Sequence, residues 1–171
     1  FYSGEMLIAD PEGNIVSNNP QSGKMNWKIA LERELSAGIA AGFGKLVVSD
    51  TNGFVIALDS ATKEILWEKN IGGEVLSNAV VNASLVLVKN SVGELVALNS
   101  STGEIKWSFR SQLPALTVRG TGEPIVENGI VFSSFDNGRL AAFQLDTGFF
   151  LWDGPISFVE GSSELENLID G

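Results

Sequence analysis

Hydrophobic and polar positions alternate along this chain in blocks. Leu85–Lys89 is an apolar run rich in branched residues, Asn90–Gly93 has turn composition, and Glu94–Leu98 returns as a second apolar run. Asn99–Gly103 turns again, and Glu104–Phe109 carries Trp107. Short apolar runs bounded by Gly, Asn and Ser predict strands joined by tight turns. The unit is written four times. Gly13, Gly53, Gly93 and Gly138 each stand fourteen residues before a tryptophan (Trp27, Trp67, Trp107, Trp152), and the tryptophans are 40, 40 and 45 residues apart. A period near 40–45 with several strands per repeat predicts a propeller or a solenoid.

The first repeat is incomplete. Glu5–Ala9, Asn14–Ser17 and Lys24–Ile29 predict three strands with no full strand before them. The second predicts four (Leu35–Ala41, Lys45–Ser49, Phe54–Leu58, Glu64–Lys69), as does the third (Val75–Val81, Leu85–Lys89, Glu94–Leu98, Glu104–Phe109). The fourth predicts Pro124–Glu127, Ile130–Ser134, Arg139–Phe143 and Phe149–Asp153, and Ile156–Val159 is a further apolar patch before an acidic tail. Runs such as Leu85-Val86-Leu87-Val88 are continuously apolar, which suits strands buried on both faces. A four-stranded blade packed between two neighbours supplies that environment. The expected fold is an all-β propeller of four-stranded antiparallel blades. Its divisions are a partial blade at 1–29, blades at 30–70, 71–110 and 111–153, and the start of another at 154–171. Ala30–Leu35 is the one stretch with helical composition and reads as a loop.

A second turn repeats just before each tryptophan: Ser22-Gly23, Thr62-Lys63, Thr102-Gly103 and Thr147-Gly148. A hydroxyl there can bond turn backbone, and Gly takes the left-handed position. Lys63 departs from the pattern and predicts strain or a shifted turn. The four tryptophans are expected to be structural, each docking one blade on the next and burying ~150–250 Å².

Composition narrows the chemistry. There is no cysteine and no histidine, which removes disulfides, thiol nucleophiles, the commonest general base and the commonest metal ligand. The net charge is −10, from 11 basic and 21 acidic residues, and no local basic patch stands out, so nucleic acid and anionic membrane surfaces are not expected partners. No apolar run approaches the ~18–20 residues needed to span a bilayer as a helix. The chain opens on Phe1 with no initiator Met, as a segment cut from a longer protein would. Gly120-Thr121-Gly122 lacks the Lys and following helix of a phosphate loop. The acidic run Glu160, Glu164, Glu166 and Asp170 lacks calcium-loop spacing and reads as a solvated connector. No cofactor or metal is expected.

Gly93–Trp107, and nearly Gly53–Trp67, resembles the tryptophan-docking repeat of PQQ-type quinoprotein propellers, a signature specific for fold and poor for function. Between repeats three and four the connection Ser111–Pro124 is five residues longer than its counterparts. Its Leu113-Pro114-x-Leu116-x-Val118-Arg119-Gly120, followed by Pro124 and by Asp136-Asn137-Gly138-Arg139, resembles the BamB family. Gly73-Glu74-x-Leu76-Ser77 and Gly161-Ser162-Ser163-Glu164-Leu165 fit the same family. What the resemblance implies is an eight-bladed propeller lipoprotein on the periplasmic face of the outer membrane, of which this chain would be about half. It implies binding to the periplasmic POTRA domains of BamA and assistance to folding barrel proteins, with unfolded outer-membrane proteins as further partners. Membrane attachment would run through an N-terminal lipid that this chain does not carry. It implies a partner-binding surface at Leu116, Val118 and Arg119, with Asp170 contributing from the next connection.

Propeller geometry leads to the same loops. Connections between blades lie on one face, so Ser111–Pro124, Phe158–Gly171 and the Asp136–Arg139 turn should share a side. Leu116 and Val118 suit a partner's pocket and Arg119 a forked contact to a carboxylate. In the structural alternative, Leu116 and Val118 cap their own blade and Arg119 pairs with Glu123 or Asp136. The rival function is a PQQ-dependent quinoprotein dehydrogenase, for which the missing cysteine pair and the lack of an identifiable catalytic Asp count as obstacles. A generic propeller ligand-binding module is the third reading. Half a ring would expose two apolar blade faces, so either head-to-tail pairing of two chains or a remainder of the ring beyond this sequence is expected.

Overall fold

Each repeat folds as one antiparallel sheet whose strands follow one another in sequence. A computed structural model describes residues 1–111 and 122–156. The first sheet has three strands: β1 (Met6–Ala9), β2 (Asn14–Asn18) and β3 (Met25–Ala30). The second runs β4 (Ala40–Gly42), β5 (Lys45–Ser49), β6 (Phe54–Asp59) and β7 (Ile65–Asn70). The third runs β8 (Val80–Val81), β9 (Leu85–Lys89), β10 (Glu94–Asn99) and β11 (Ile105–Arg110). The fourth runs β12 (Ile125–Glu127), β13 (Ile130–Phe135), β14 (Arg139–Gln144) and β15 (Phe150–Pro155). The described residues are all-β, and 31–34 is irregular chain between β3 and the Leu35 bridge, so Ala30–Leu35 forms no helix.

The expected strands at Lys45–Ser49 and Leu85–Lys89 are found at those bounds. The first strands of blades two and three are shorter than expected. Leu35–Ala41 reduces to Ala40–Gly42, and Val75–Val81 to Val80–Val81. Leu35 and Val75 still hold the sheet through single bridges to Asp50 and Asn90. Between bridge and strand the backbone turns to the neighbouring blade, where Ser36 Oγ donates to the Val75 carbonyl at 2.7 Å. β4 and β8 approach each other closely, so the sheets converge on their first strands and fan apart toward the tryptophan-bearing fourth.

Burial follows from stacking. β9 is buried at every position and β5 at four of its five, because blades two and three are covered on both sides. β2 and β13 are buried only at alternate positions. Blade one is covered on one side by the core that includes Ile15, Leu46 and Ile56. Blade four is covered on one side by the core of Leu87, Leu95, Trp107 and Phe143. The tryptophan strand carries the same register shift in all four blades, at Ser17/Asn18, Ala97/Leu98, Ala57/Leu58 and Ala142/Phe143. The bulge turns the indole toward the next blade.

Candidate interaction surface

The seams between blades are built by one device. Trp67 is 7% exposed, and its Nε1–H donates to the Ser100 carbonyl of the next blade at 2.9 Å. Trp107 does the same to the Leu145 carbonyl at 2.8 Å. Each indole lies on the glycine of the next blade's turn. A Cβ on Gly103 would stand 2.6 Å from Trp67, and one on Gly148 2.5 Å from Trp107. Both glycines have positive φ, so the residue that suits the turn also clears space for the ring. The turn hydroxyls act as expected. Ser22, Thr62, Thr102 and Thr147 accept the amides of Lys24, Glu64, Glu104 and Phe149 at 3.2–3.4 Å.

Two tryptophans depart from the device. At the first seam Lys63 stands where the other turns have Gly. The turn is not shifted: Lys63 takes φ +69 and donates its amide to the Asp59 carbonyl at 2.9 Å, like its counterparts. Its ammonium lies 4.5 Å from the centre of the Trp27 ring and bonds the Ser60 carbonyl. Ser60 is the counterpart of Ser100 and Leu145, so the lysine has taken the acceptor that an indole takes elsewhere. Trp27 Nε1–H goes instead to Glu5 Oε2 at 3.1 Å. Sequence reasoning flagged Lys63 and missed this exchange; an aromatic one blade away was the available signal. Trp152 is 47% exposed and meets no further blade among the described residues.

The expected partner-binding residues Leu116, Val118, Arg119 and Asp170 lie outside the described residues. The chain on either side of the first three is held firmly. Ser111 donates its amide to the Gly93 carbonyl at 3.0 Å, and its Oγ accepts from Asn137 Nδ2 at 3.0 Å. At the other end Glu123 Oε1 accepts from Asn78 Nδ2 at 2.6 Å, tying blade four's approach to blade three, and Pro124 is buried. Ile156 N–H donates to the Gly138 carbonyl at 3.0 Å. The Asp136–Arg139 turn therefore sits between the start of one connection, at Ser111, and the start of the next, at Ile156. Within its own blade Arg139 binds Asp153, and that bond holds the Asp153 carboxyl below the usual carboxylate range.

The Asn78–Glu123 tie was not foreseen, because neither residue belongs to the repeat pattern. A cavity of about 270 Å³ opens near the first-strand ends of blades one to three, lined by Asp10, Leu35, Ser36, Gly38 and Leu76 among others. Asp10 is the one ionisable residue in its lining, and its carboxyl is held below the ordinary range, first by the Asn14 amide. A lone carboxylate provides no acid–base pair.

Residues 11–170 match the family described as outer membrane protein assembly factor BamB. A protein of that name from Alkalilimnicola ehrlichii is 59% identical over 167 residues, 98% of this chain and 44% of its own length. Among solved structures, BamB from Moraxella catarrhalis superposes with a TM-score of 0.87 at 24% identity, covering 99% of this chain and 52% of that one. A quinohemoprotein alcohol dehydrogenase from Comamonas testosteroni superposes with a TM-score of 0.70 at 18% identity, over 89% of this chain and 33% of that one. At those identities the two superpositions speak for fold. The chain spans less than half the length of the curated relatives it matches end to end.

Proposed function

The chain belongs to the family of outer membrane protein assembly factor BamB, and on that premise we propose that it is a non-enzymatic docking scaffold of outer-membrane protein assembly. It works at the periplasmic face of the outer membrane, binds the POTRA domains of BamA, and so assists the folding and insertion of β-barrel proteins. The observation that carries the reading is the connection from Ser111 to Pro124. Both of its ends are pinned to rigid sheets, by Asn137 at one and Asn78 at the other. Loops held on a rigid scaffold are where binding residues concentrate. In this reading Leu116 and Val118 fill an apolar pocket on the partner and Arg119 makes a charge-assisted contact to a carboxylate. Asp170 adds an acidic contact from the following connection.

The test is binding of this chain to purified POTRA domains, with Arg119→Ala beside the unaltered protein. Losing a charge-assisted anchor should cost ~1–3 kcal/mol, roughly 5- to 150-fold in Kd. Binding that survives with unchanged affinity would move the interface away from this loop. Absence of binding by the unaltered chain would overturn the partner assignment.

A further inference from the structure

We infer that Asn78 is a positioning residue for the connection between blades three and four: it fixes Glu123, and Gly38 of blade two makes the room in which it does so. The inference rests on the reading of that connection as partner-binding. None of the three residues is assigned a contact with the partner.

Gly38, Asn78 and Glu123 share no residue type, but they stand at one step of the fold. Each lies two residues before the first strand of its blade, which begins at Ala40, Val80 and Ile125 in turn. The sheets converge on their first strands, as the close approach of β4 and β8 shows, so this step sets neighbouring blades side by side. Asn78 spans the gap on both sides. Its Nδ2 donates forward to Glu123 Oε1 at 2.6 Å. Behind it, its Oδ1 lies 2.5 Å from the place that a Cβ on Gly38 would take. Gly38 is not among the glycines with positive φ, so its turn geometry does not call for glycine. What the missing side chain supplies is space for the Asn78 amide. A row therefore runs from blade two to blade four: an empty Cβ position, an amide and a carboxylate.

The tie is placed to govern the connection rather than the fold. Blades three and four are already sealed by Trp107, Phe143 and the core around them. One bond between a half-buried amide and an exposed carboxylate adds little to that seam. The connection is held unequally at its two ends. Its start is held twice, by the Ser111 amide on the Gly93 carbonyl and by Asn137 on Ser111 Oγ. At its other end Pro124 has no N–H to give, and the ladder resumes only at Ile125, opposite Phe132. Among the described residues 122–124, the bond from Asn78 is the hydrogen bond that holds this end to a neighbouring blade.

A loop ordered before it meets its partner loses less freedom on binding, and the saving appears as affinity. Breaking the Asn78 bond leaves every partner contact available and moves the cost of ordering the connection onto the binding step. The same cost arises from blade two. A methyl on Gly38 meets the end of the Asn78 side chain rather than backbone, so the amide yields and the fold does not.

The experiment measures binding of the chain to purified POTRA domains, together with amide exchange across Ser111–Pro124, for Asn78→Ala and Gly38→Ala. Asn78→Ala should weaken binding about three- to tenfold and speed exchange in the connection, with β9 and β13 still protected and thermal unfolding unchanged. Gly38→Ala should do the same from two blades away. Asn78→Asp sets a carboxylate against that of Glu123 and should match Asn78→Ala. Adding Glu123→Gln to it supplies an amide for the new carboxylate to accept from, and should recover binding. In the Arg119→Ala background, Asn78→Ala should cost less than it does alone, because part of what it positions is gone. Full additivity of the two overturns the inference, since Asn78 would then act independently of Arg119. Binding that neither Asn78→Ala nor Gly38→Ala weakens overturns it, as does exchange that neither changes. Failure of the unaltered chain to bind overturns the POTRA reading instead, and exchange then decides whether Asn78 holds the connection.

Discussion

Placing alanine at Gly103 probes the seam device where it is tightest. Two costs add. Gly103 holds φ +71, where a side chain costs ~1–2 kcal/mol, partly offset by the ~0.4–1 kcal/mol that lost unfolded-state freedom returns. The new Cβ would also lie 2.6 Å from Cε3 and 2.7 Å from Cδ2 of Trp67. The ring must lift, which strains a packed seam by ~1–3 kcal/mol. It also loosens the 2.9 Å bond from Nε1 to the Ser100 carbonyl, within that same range. The expected loss is ~2–4 kcal/mol in total. Gly23→Ala is the control: the same turn, φ +70, and open space around the new methyl. It should lose only ~1 kcal/mol, from the backbone. The assay is urea unfolding followed by tryptophan fluorescence and circular dichroism at low protein concentration, with equal m-values required of both variants. The gap between the two variants, ~1–3 kcal/mol, is the worth of the occupied seat. Equal losses would refute the argument, because the indole would then yield without cost.

Other outcomes follow from the remaining features. Lys63→Met keeps the stem over Trp27 and removes the charge, so the first seam should lose ~0.5–1 kcal/mol, and Trp27 fluorescence should shift as its cation leaves. Acid should destabilise the fold. Asp10 and Asp59 accept backbone amides, first from Asn14 and Thr62, and Asp153 binds Arg139; all three carboxyls titrate below their ordinary range. A depressed folded value stabilises above the unfolded value of ~3.9, and that stability is lost as pH falls through the lower folded values. Tm should therefore hold from neutral pH to about 5 and drop below about 4. Asp59→Asn should keep the neutral Tm, since Asn19 and Asn99 make the same turn bonds in their own repeats, and should flatten part of the acid slope.

Much of the fold is legible because its bonds are local. The turns from Asn90 to Gly93 and from Asn99 to Gly103 are closed by side chains two to four residues from the amides they bind, so composition reveals them. β5 and β9 announce themselves because both faces are apolar. The first strands do not. Leu35–Ala41 and Val75–Val81 have strand composition but crowd together where the sheets converge, and only the last residues of each pair as a strand, while Ser36, its amide still on Ser49, sends its hydroxyl to the next blade. The candidate loop is legible only as a motif. Leu116, Val118 and Arg119 depart from the repeat, and no periodicity constrains them.

The sequence by itself determined the repeat, the turn chemistry and the role of the tryptophans in docking blade on blade. Those follow from hydrogen bonds and steric needs that act within a few residues. Only the tertiary structure decided which of four similar tryptophans is covered. Trp107 is sealed by a carbonyl 38 residues away and Trp152 is half open, although both end the same motif. Only the tertiary structure, too, sent Trp27 to Glu5 after Lys63 had taken the Ser60 carbonyl. Coverage and partner exchange depend on what a neighbouring blade presents, and a strand's own residues carry no record of its neighbour.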